Sequence, residues 1–217
     1  MGGCCNPRGC DRMFGERFAR HVAARYRKRG IDGPSRRMVD WLVAQGIEGA
    51  SVLEIGGGVG EIQLDLLRRG AAGTTNLELS PGYEAAATAL AAEAGMTDRV
   101  HRVLGDLAVD GSVAEPADVV VMHRVVCCYP DLAALLGAAA DHARRAVVFT
   151  HPPRNLLSRG MVRTANAGQR LIGREYRTFV HPPEAMVQIL AEHGFTARRL
   201  PSGPIWQVLA ATRSGAP

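Results

Sequence analysis

From about residue 50 onward, short apolar runs alternate with stretches whose apolar residues recur every three or four positions. The runs at 51–55, 74–79, 99–104, 118–122 and 146–150 have the length and β-branched content of strands. The stretches 61–69, 81–94 and 132–143 have the period of helices. This alternation predicts a parallel sheet with helices on both faces. Right-handed crossovers would bring the C-terminal ends of the strands to one edge, where open α/β sheets hold their ligands. Two helices precede the first strand. One spans 13–29, with Phe14, Phe18, Val22 and Tyr26 at every fourth position. After a break at 30–34, the other is capped by Ser35 and runs through Met38, Val39, Leu42 and Val43 to Gly46. Residues 154–180 are polar, Arg-rich and only loosely helical. A helix then runs from 184 to 193, with Pro182 in its first turn. Strands follow at 196–200 and 205–211, with Trp206 read as sheet packing.

The run at 51–55 enters the stretch Val52-Leu53-Glu54-Ile55-Gly56-Gly57-Gly58-Val59-Gly60-Glu61. A loop with four glycines can take positive φ and lets a ligand lie against its backbone. The helix after it presents unpaired N–H groups and a positive dipole end. Two ligand classes fit a strand–glycine loop–helix unit: a dinucleotide, and S-adenosyl-L-methionine (SAM). The dinucleotide pattern G-x-G-x-x-G, started at Gly56, needs glycine where Glu61 stands. No Lys-Ser or Lys-Thr pair follows, which argues against a nucleoside triphosphate. The second strand ends in Glu78, 24 residues after Glu54. A carboxylate there can accept both hydroxyls of a ribose. Gly105-Asp106-Leu107 follows the third strand.

The pattern Glu54-x-Gly56-x-Gly58-x-Gly60, with Glu78 and Asp106 in order behind it, resembles motif I and its companions in the class I SAM-dependent methyltransferases. The resemblance covers about residues 48–212. It implies a seven-stranded, mostly parallel sheet closed by an antiparallel strand, with helices on both faces. Residues 1–47 would be a Cys- and Arg-rich segment and helical lid, and 154–180 an insertion on the substrate side. It further implies that Glu54, Gly56, Gly57, Gly58 and Gly60 hold the amino-acid part of SAM and that Glu78 takes the ribose. Asp106 would accept from the adenine amine, with Leu79 and Leu107 flanking the ring. S-adenosylhomocysteine (SAH) would be the product.

The fourth strand ends in His123-Arg124-Val125-Val126-Cys127-Cys128-Tyr129-Pro130-Asp131. In the family this position lies beside the transferable methyl. Enzymes that methylate nucleic-acid amines carry an Asp/Asn-Pro-Pro-Tyr/Phe run here, and this chain does not. A small-molecule acceptor, with oxygen as the acceptor atom, is therefore expected rather than a nucleic acid. His123, which also adjoins the cofactor site, is the first candidate base, because its ordinary pKa near ~6.5 suits it to accept a proton. His151, on the same edge, is the second. Tyr129, Arg163 and Arg174 are candidate substrate contacts, and Arg25, Tyr26 and Arg29 candidate lid contacts.

Composition adds limits. The chain has 217 residues and a net charge of +5, and residues 1–40 carry ten Lys/Arg against four Asp/Glu. That excess leaves RNA methylation open as an alternative. The expected location is the cytoplasm, since no apolar leader begins the chain and no run of about 18 apolar residues could span a membrane. No membrane partner is expected. Five cysteines, Cys4, Cys5, Cys10, Cys127 and Cys128, include two vicinal pairs. They lack the spacing of a zinc site, so no metal is assigned. They keep open the other alternative, a non-catalytic sensor that binds SAM or metal.

Overall fold

The computed structural model describes residues 9–215. At its centre is a seven-stranded sheet of order β3-β2-β1-β4-β5-β7-β6. The parallel strands are β1 (Ser51–Ile55), β2 (Gly73–Glu78), β3 (Val100–Leu104), β4 (Ala117–Met122) and β5 (Ala143–His151). β6 (Phe195–Leu200) and β7 (Gln207–Arg213) close the sheet, with β7 antiparallel to both its neighbours. This is the expected fold class.

β4 shows why these runs become central strands. Val119 and Val121 pack into one core and Val120 and Met122 into the other, none more than 2% exposed. Side chains alternate along a strand, so a continuous apolar run fills both faces at once. Against one face pack α2 (Glu16–Arg29), α3 (Gly33–Ala44), α4 (Glu61–Arg68) and α5 (Glu84–Glu93). Against the other pack α6 (Leu132–Asp141) and α8 (Pro183–Glu192). Ala19, Met38 and Leu42 of the N-terminal helices share a core with Val52 and Val148 of the sheet.

Four local expectations need correction. The helix expected over 13–29 is divided: α1 (Cys10–Met13) ends before Gly15, whose extended backbone starts α2. Ser35 does not cap α3. Asp32 does, its Oδ1 accepting from the Ser35 N–H at 2.9 Å and the Ser35 hydroxyl at 2.7 Å. A carboxylate two residues ahead of Pro34 is the stronger acceptor, and proline suits the first turn behind it. Residues 154–180 contain a regular 16-residue helix, α7 (Leu156–Leu171), capped by the Asn155 side chain. Trp206 precedes β7 and stands at the ligand edge rather than within the sheet.

Register aligns the edge that carries the glycine loop. Ile55 pairs with Leu77 on one side and Met122 on the other, so β1, β2 and β4 end level. The Gly56 N–H then donates to Leu77 O at 2.7 Å, and the Gly105 N–H to Glu78 O at 3.0 Å. The chain moves outward in opposite directions from β1, through β2 and β3 on one side and β4 and β5 on the other. A crevice opens at such a reversal.

Phe149, fully buried at the centre of β5, tests the packing. Phe149→Ala is expected to cost about 3–5 kcal/mol. Leu156→Ala, at a side chain 85% exposed, is expected to change stability by no more than about 0.5 kcal/mol. Urea denaturation of the two variants measures both.

Candidate active site

A cavity of about 370 Å³ occupies that crevice. Its floor is the glycine loop. Gly56, Gly58 and Gly60 have φ of +63°, +54° and +81°, the left-handed region that side chains disfavour. Space is closed as well: a Cβ on Gly56 would lie 2.5 Å from Val125, and one on Gly57 2.6 Å from the Asn76 amide.

The loop is tied to the next strand by Glu78. Its Oε2 accepts from the Gly58 N–H at 2.8 Å, and its Oε1 from the N–H groups of Leu79 and Ser80 at 2.8 and 3.1 Å. Burial pushes this carboxyl up, against the pull of those donors. Glu54 is 2% exposed, and its Oε2 accepts from the Gln63 N–H at 3.2 Å, in the first turn of α4. Burial raises Glu54 well above the ordinary range, and the neighbouring Glu61 charge adds to it. Glu61 also lines the cavity and is raised by burial, with Arg25 opposing from 3.4 Å. Two buried carboxyls, Glu54 and Glu78, and the half-buried Glu61 thus line the cavity together.

Asp106 and Leu107 line the wall with Leu79. The Tyr129 hydroxyl donates to the Asp106 carboxylate, with Oδ1 and Oδ2 at 3.1 and 3.0 Å. Tyr129 therefore braces Asp106. Phe14, at the end of α1, and Phe18, His21, Val22 and Arg25 of α2 form the opposite wall. Phe14 meets the ring of Tyr176 edge-on at 5.3 Å, and Phe18 that of Tyr83 at 6.4 Å. Of the expected lid contacts, Arg25 reaches the cavity. Tyr26 is buried in the core and bonded to Arg68, and Arg29 is exposed.

His123 lines the cavity at the end of β4. Its Nδ1 lies 3.1 Å from Thr150 Oγ1, which also accepts from the Arg124 N–H at 2.8 Å. Its Nε2 lies 3.5 Å from Asp32 Oδ2 and makes no hydrogen bond. Asp32 also pairs with the Arg124 guanidinium, and that guanidinium lies 5.2 Å from the centre of the Trp206 ring. Arg124 has φ +61°, the one positive value among the described residues other than glycine, and an arginine held there is strained. The backbone turns sharply and the side chain is locked from both sides. Burial lowers the His123 pKa, and Asp32 counteracts part of that. Burial would raise Asp32, but the facing His123 ring and the Ser35 donors hold it well below the carboxylate range.

Not every expected residue arrives here. His151 is buried, with Nδ1 3.0 Å from Pro152 O, and does not line the cavity. Arg163 and Arg174 are exposed on and just after α7. Sequence reasoning missed Asp32, Thr150 and Tyr176. Asp32 carried a signal in its place two residues before Pro34; Thr150 and Tyr176 carried none, because only folding brings them near. Cys127 and Cys128 have their sulfurs 3.6 Å apart, and Cys128 Sγ lies 2.9 Å from the Tyr176 hydroxyl. Among the described residues no group of three or more His, Cys, Asp or Glu could hold a metal ion. Cys4 and Cys5 lie outside the described residues.

A family model described as a methyltransferase domain matches residues 19–200, and so takes in most of α2 and all of α3. No curated protein sequence matches the chain. Among solved structures, the magnesium protoporphyrin IX methyltransferase of Synechocystis PCC 6803 with bound SAH is similar, with TM-score 0.72, 20% identity, and 94% of this chain and 98% of that chain covered. An O-methyltransferase family protein from Burkholderia thailandensis has TM-score 0.69 and 19% identity, over 91% of this chain and 60% of the other. An O-methyltransferase family 2 protein from Planctomyces limnophilus, in complex with apigenin, has TM-score 0.66 and 20% identity, over 91% and 61%. At these identities the likeness establishes the fold.

The His123 and Asp32 shifts give a pH dependence with one sign. Each group has a lower pKa in the folded chain than in the unfolded one. The His123 contribution is complete above its unfolded value of about 6.5 and is lost as pH falls through the folded value; that of Asp32 is lost below about 3.9. Stability measured by denaturation should fall between pH 7.5 and 5.5 in the native chain and less in His123→Gln. In Asp32→Asn, the His123 titration followed by NMR should move further down.

Proposed function

The chain belongs to the class I SAM-dependent methyltransferases, and on that premise we propose that it transfers a methyl group from SAM to an oxygen atom of a small-molecule acceptor. The observation that carries the cofactor assignment is the set of carboxyls, buried Glu54 and Glu78 and half-buried Glu61, beside a glycine floor with no room for a Cβ. Each pays a desolvation cost to ionise, and Glu54 and Glu61 repel. A ligand with positive charge beside them relieves both terms, and SAM carries an ammonium and a sulfonium.

The residues present fit SAM. Gly56, Gly57 and Gly58 with Glu54 would hold its amino-acid part. Glu78 would hold the ribose; its two oxygens accept three hydrogen bonds and offer about four lone-pair sites. Asp106, steadied by Tyr129, would accept from the adenine amine between Leu79 and Leu107. Gly60 shapes the turn into α4 without reaching the cavity. When bound, SAM supplies an activated methyl group on a cationic leaving group.

What the protein adds is alignment, exclusion of water and a proton acceptor. Phe14 at the end of α1, with Phe18 and Val22 of α2, covers the cavity. His123 supplies the base. With Nδ1–H donating to Thr150 Oγ1, Nε2 keeps its lone pair, consistent with its having no hydrogen-bond partner. As the oxygen takes the methyl, the acceptor hydroxyl gives its proton to His123, whose Nε2, buried against Asp32 in this structure, turns toward the cavity to receive it. The imidazolium so formed is stabilised by Asp32 Oδ2 at 3.5 Å. A ring that is neutral at pH 7 and has a carboxylate behind it suits a hydroxyl acceptor.

Calorimetric titration with SAM and SAH, with NADH as control, tests the cofactor. Gly58→Asp should abolish SAM binding. Glu78→Ala should weaken it by about 10–100-fold, the worth of hydrogen bonds to a charged group. Unchanged affinity in both variants would remove the assignment. His123→Ala should leave SAM affinity intact and lower turnover by about 10²–10⁴-fold once the acceptor is identified. Unchanged turnover would mean that no base is used at His123.

A further inference from the structure

α7 is packed the wrong way round for a helix that serves the core. The residues it turns toward the body are Ser158, Val162, Asn166 and Gln169, all only half-buried. Three of those four are polar, and the seat is a polar one: Asn166 Nδ2 donates to Thr178 O at 2.8 Å, and the Thr178 N–H donates to Asn166 Oδ1 at 2.9 Å. The large apolar side chains face outward. Leu157, Met161, Leu171 and Ile172 are 72%, 63%, 88% and 63% exposed, and Leu156 at the start is 85% exposed. Their spacing of four, ten and one positions keeps Leu157, Met161, Leu171 and Ile172 on one side of the helix. No residue of α7 is buried.

The exposed surface on the other side of α7 is cationic. Between Pro152 and Arg174 the chain has five arginines and no Asp or Glu. Arg159, Arg163 and Arg170, spaced four and seven apart, are exposed and share a face on the far side of the helix from the stripe, and Arg174, also exposed, follows the helix. An apolar side, an opposite side rich in arginine and no acids match a helix that lies in the plane of a bilayer surface, its apolar side among the acyl chains and its cations reaching anionic headgroups. Ile205, 71% exposed, adds to the same edge, since the pairing of His151 with Gln207 sets the 201–206 connection beside the start of the chain leading to α7.

We propose that α7 docks this protein onto an anionic lipid surface. The sequence reading looked for a membrane-spanning run and expected no membrane partner, and among the described residues no helix is long and apolar enough to cross one. Docking needs no span. It requires the apolar side of a preformed helix to face outward, and that is visible only once Asn166 has been placed against Thr178. The inference stands independently of the methyl acceptor and of the base.

The test is co-sedimentation of the full chain with phosphatidylglycerol-containing vesicles and with pure phosphatidylcholine vesicles, at low and high salt. Binding to the anionic vesicles that weakens with salt is expected. Arg159→Gln with Arg163→Gln should reduce it by about 30-fold, from about 1 kcal/mol per surface cation. Leu157→Asp with Met161→Asp, at exposed positions where folding is preserved and checked by circular dichroism, should abolish it. Absence of binding to anionic vesicles would overturn the proposal. So would binding that survives the double Asp variant, which would be adsorption of a basic protein without α7. A concentration-dependent dimer in sedimentation velocity, lost in the same variant, would assign the stripe to a second copy and overturn it as well.

Discussion

The hydrogen bond from the Gly58 N–H to Glu78 Oε2, at 2.8 Å, ties the loop after β1 to the end of β2. The site is arranged around that tie. It requires β1 and β2 to end level, which their register provides. It requires a loop free of side chains, because a Cβ on Gly57 would meet Asn76 at 2.6 Å. It also requires a carboxylate buried at an energetic cost, which the three backbone donors reduce without cancelling. In return the loop is held as a rigid floor before any ligand arrives, so less ordering is left for binding to oppose.

A second tie joins the N-terminal helices to the opposite side of the cavity. Asp32 caps α3 and at the same time engages Arg124 and faces His123 at the end of β4. One carboxylate thus couples a helix start, a strained turn and the candidate base. The strain at Arg124 persists because three partners over-determine it: Thr150 at its N–H, and Asp32 and Trp206 at its guanidinium. Trp206 stands outside β7 for the same reason, as one wall of the clamp.

Much of the fold was legible in the sequence. Strand β1 was placed to the residue, and the other parallel strands and the helices between them within a few residues, because continuous apolar runs and glycine boundaries are local signals. That Glu54, Gly56, Gly57, Gly58, Glu78 and Asp106 would line one cavity was legible for a related reason: they lie at or just beyond strand ends, which in this topology converge on one edge. The surroundings of His123 were not. His151 follows a strand end as well, yet its side chain alternates away from the cavity, while its neighbour Thr150 supports His123. Tyr129 reads as a substrate contact from its position in the loop, and packing gives it to Asp106.

The sequence by itself determined the alternation of strands and helices, the open backbone of the loop, and the order of the acids behind it. These depend on residues near one another in the chain. Tertiary structure alone decided that Asp32 would reach His123 across 91 positions, that Tyr176 would lie against Cys128, and that the apolar side of α7 would face outward. Periodicity shows that a helix has two sides. Which side is buried depends on what the rest of the chain presents to it, and here it presents the backbone of Thr178.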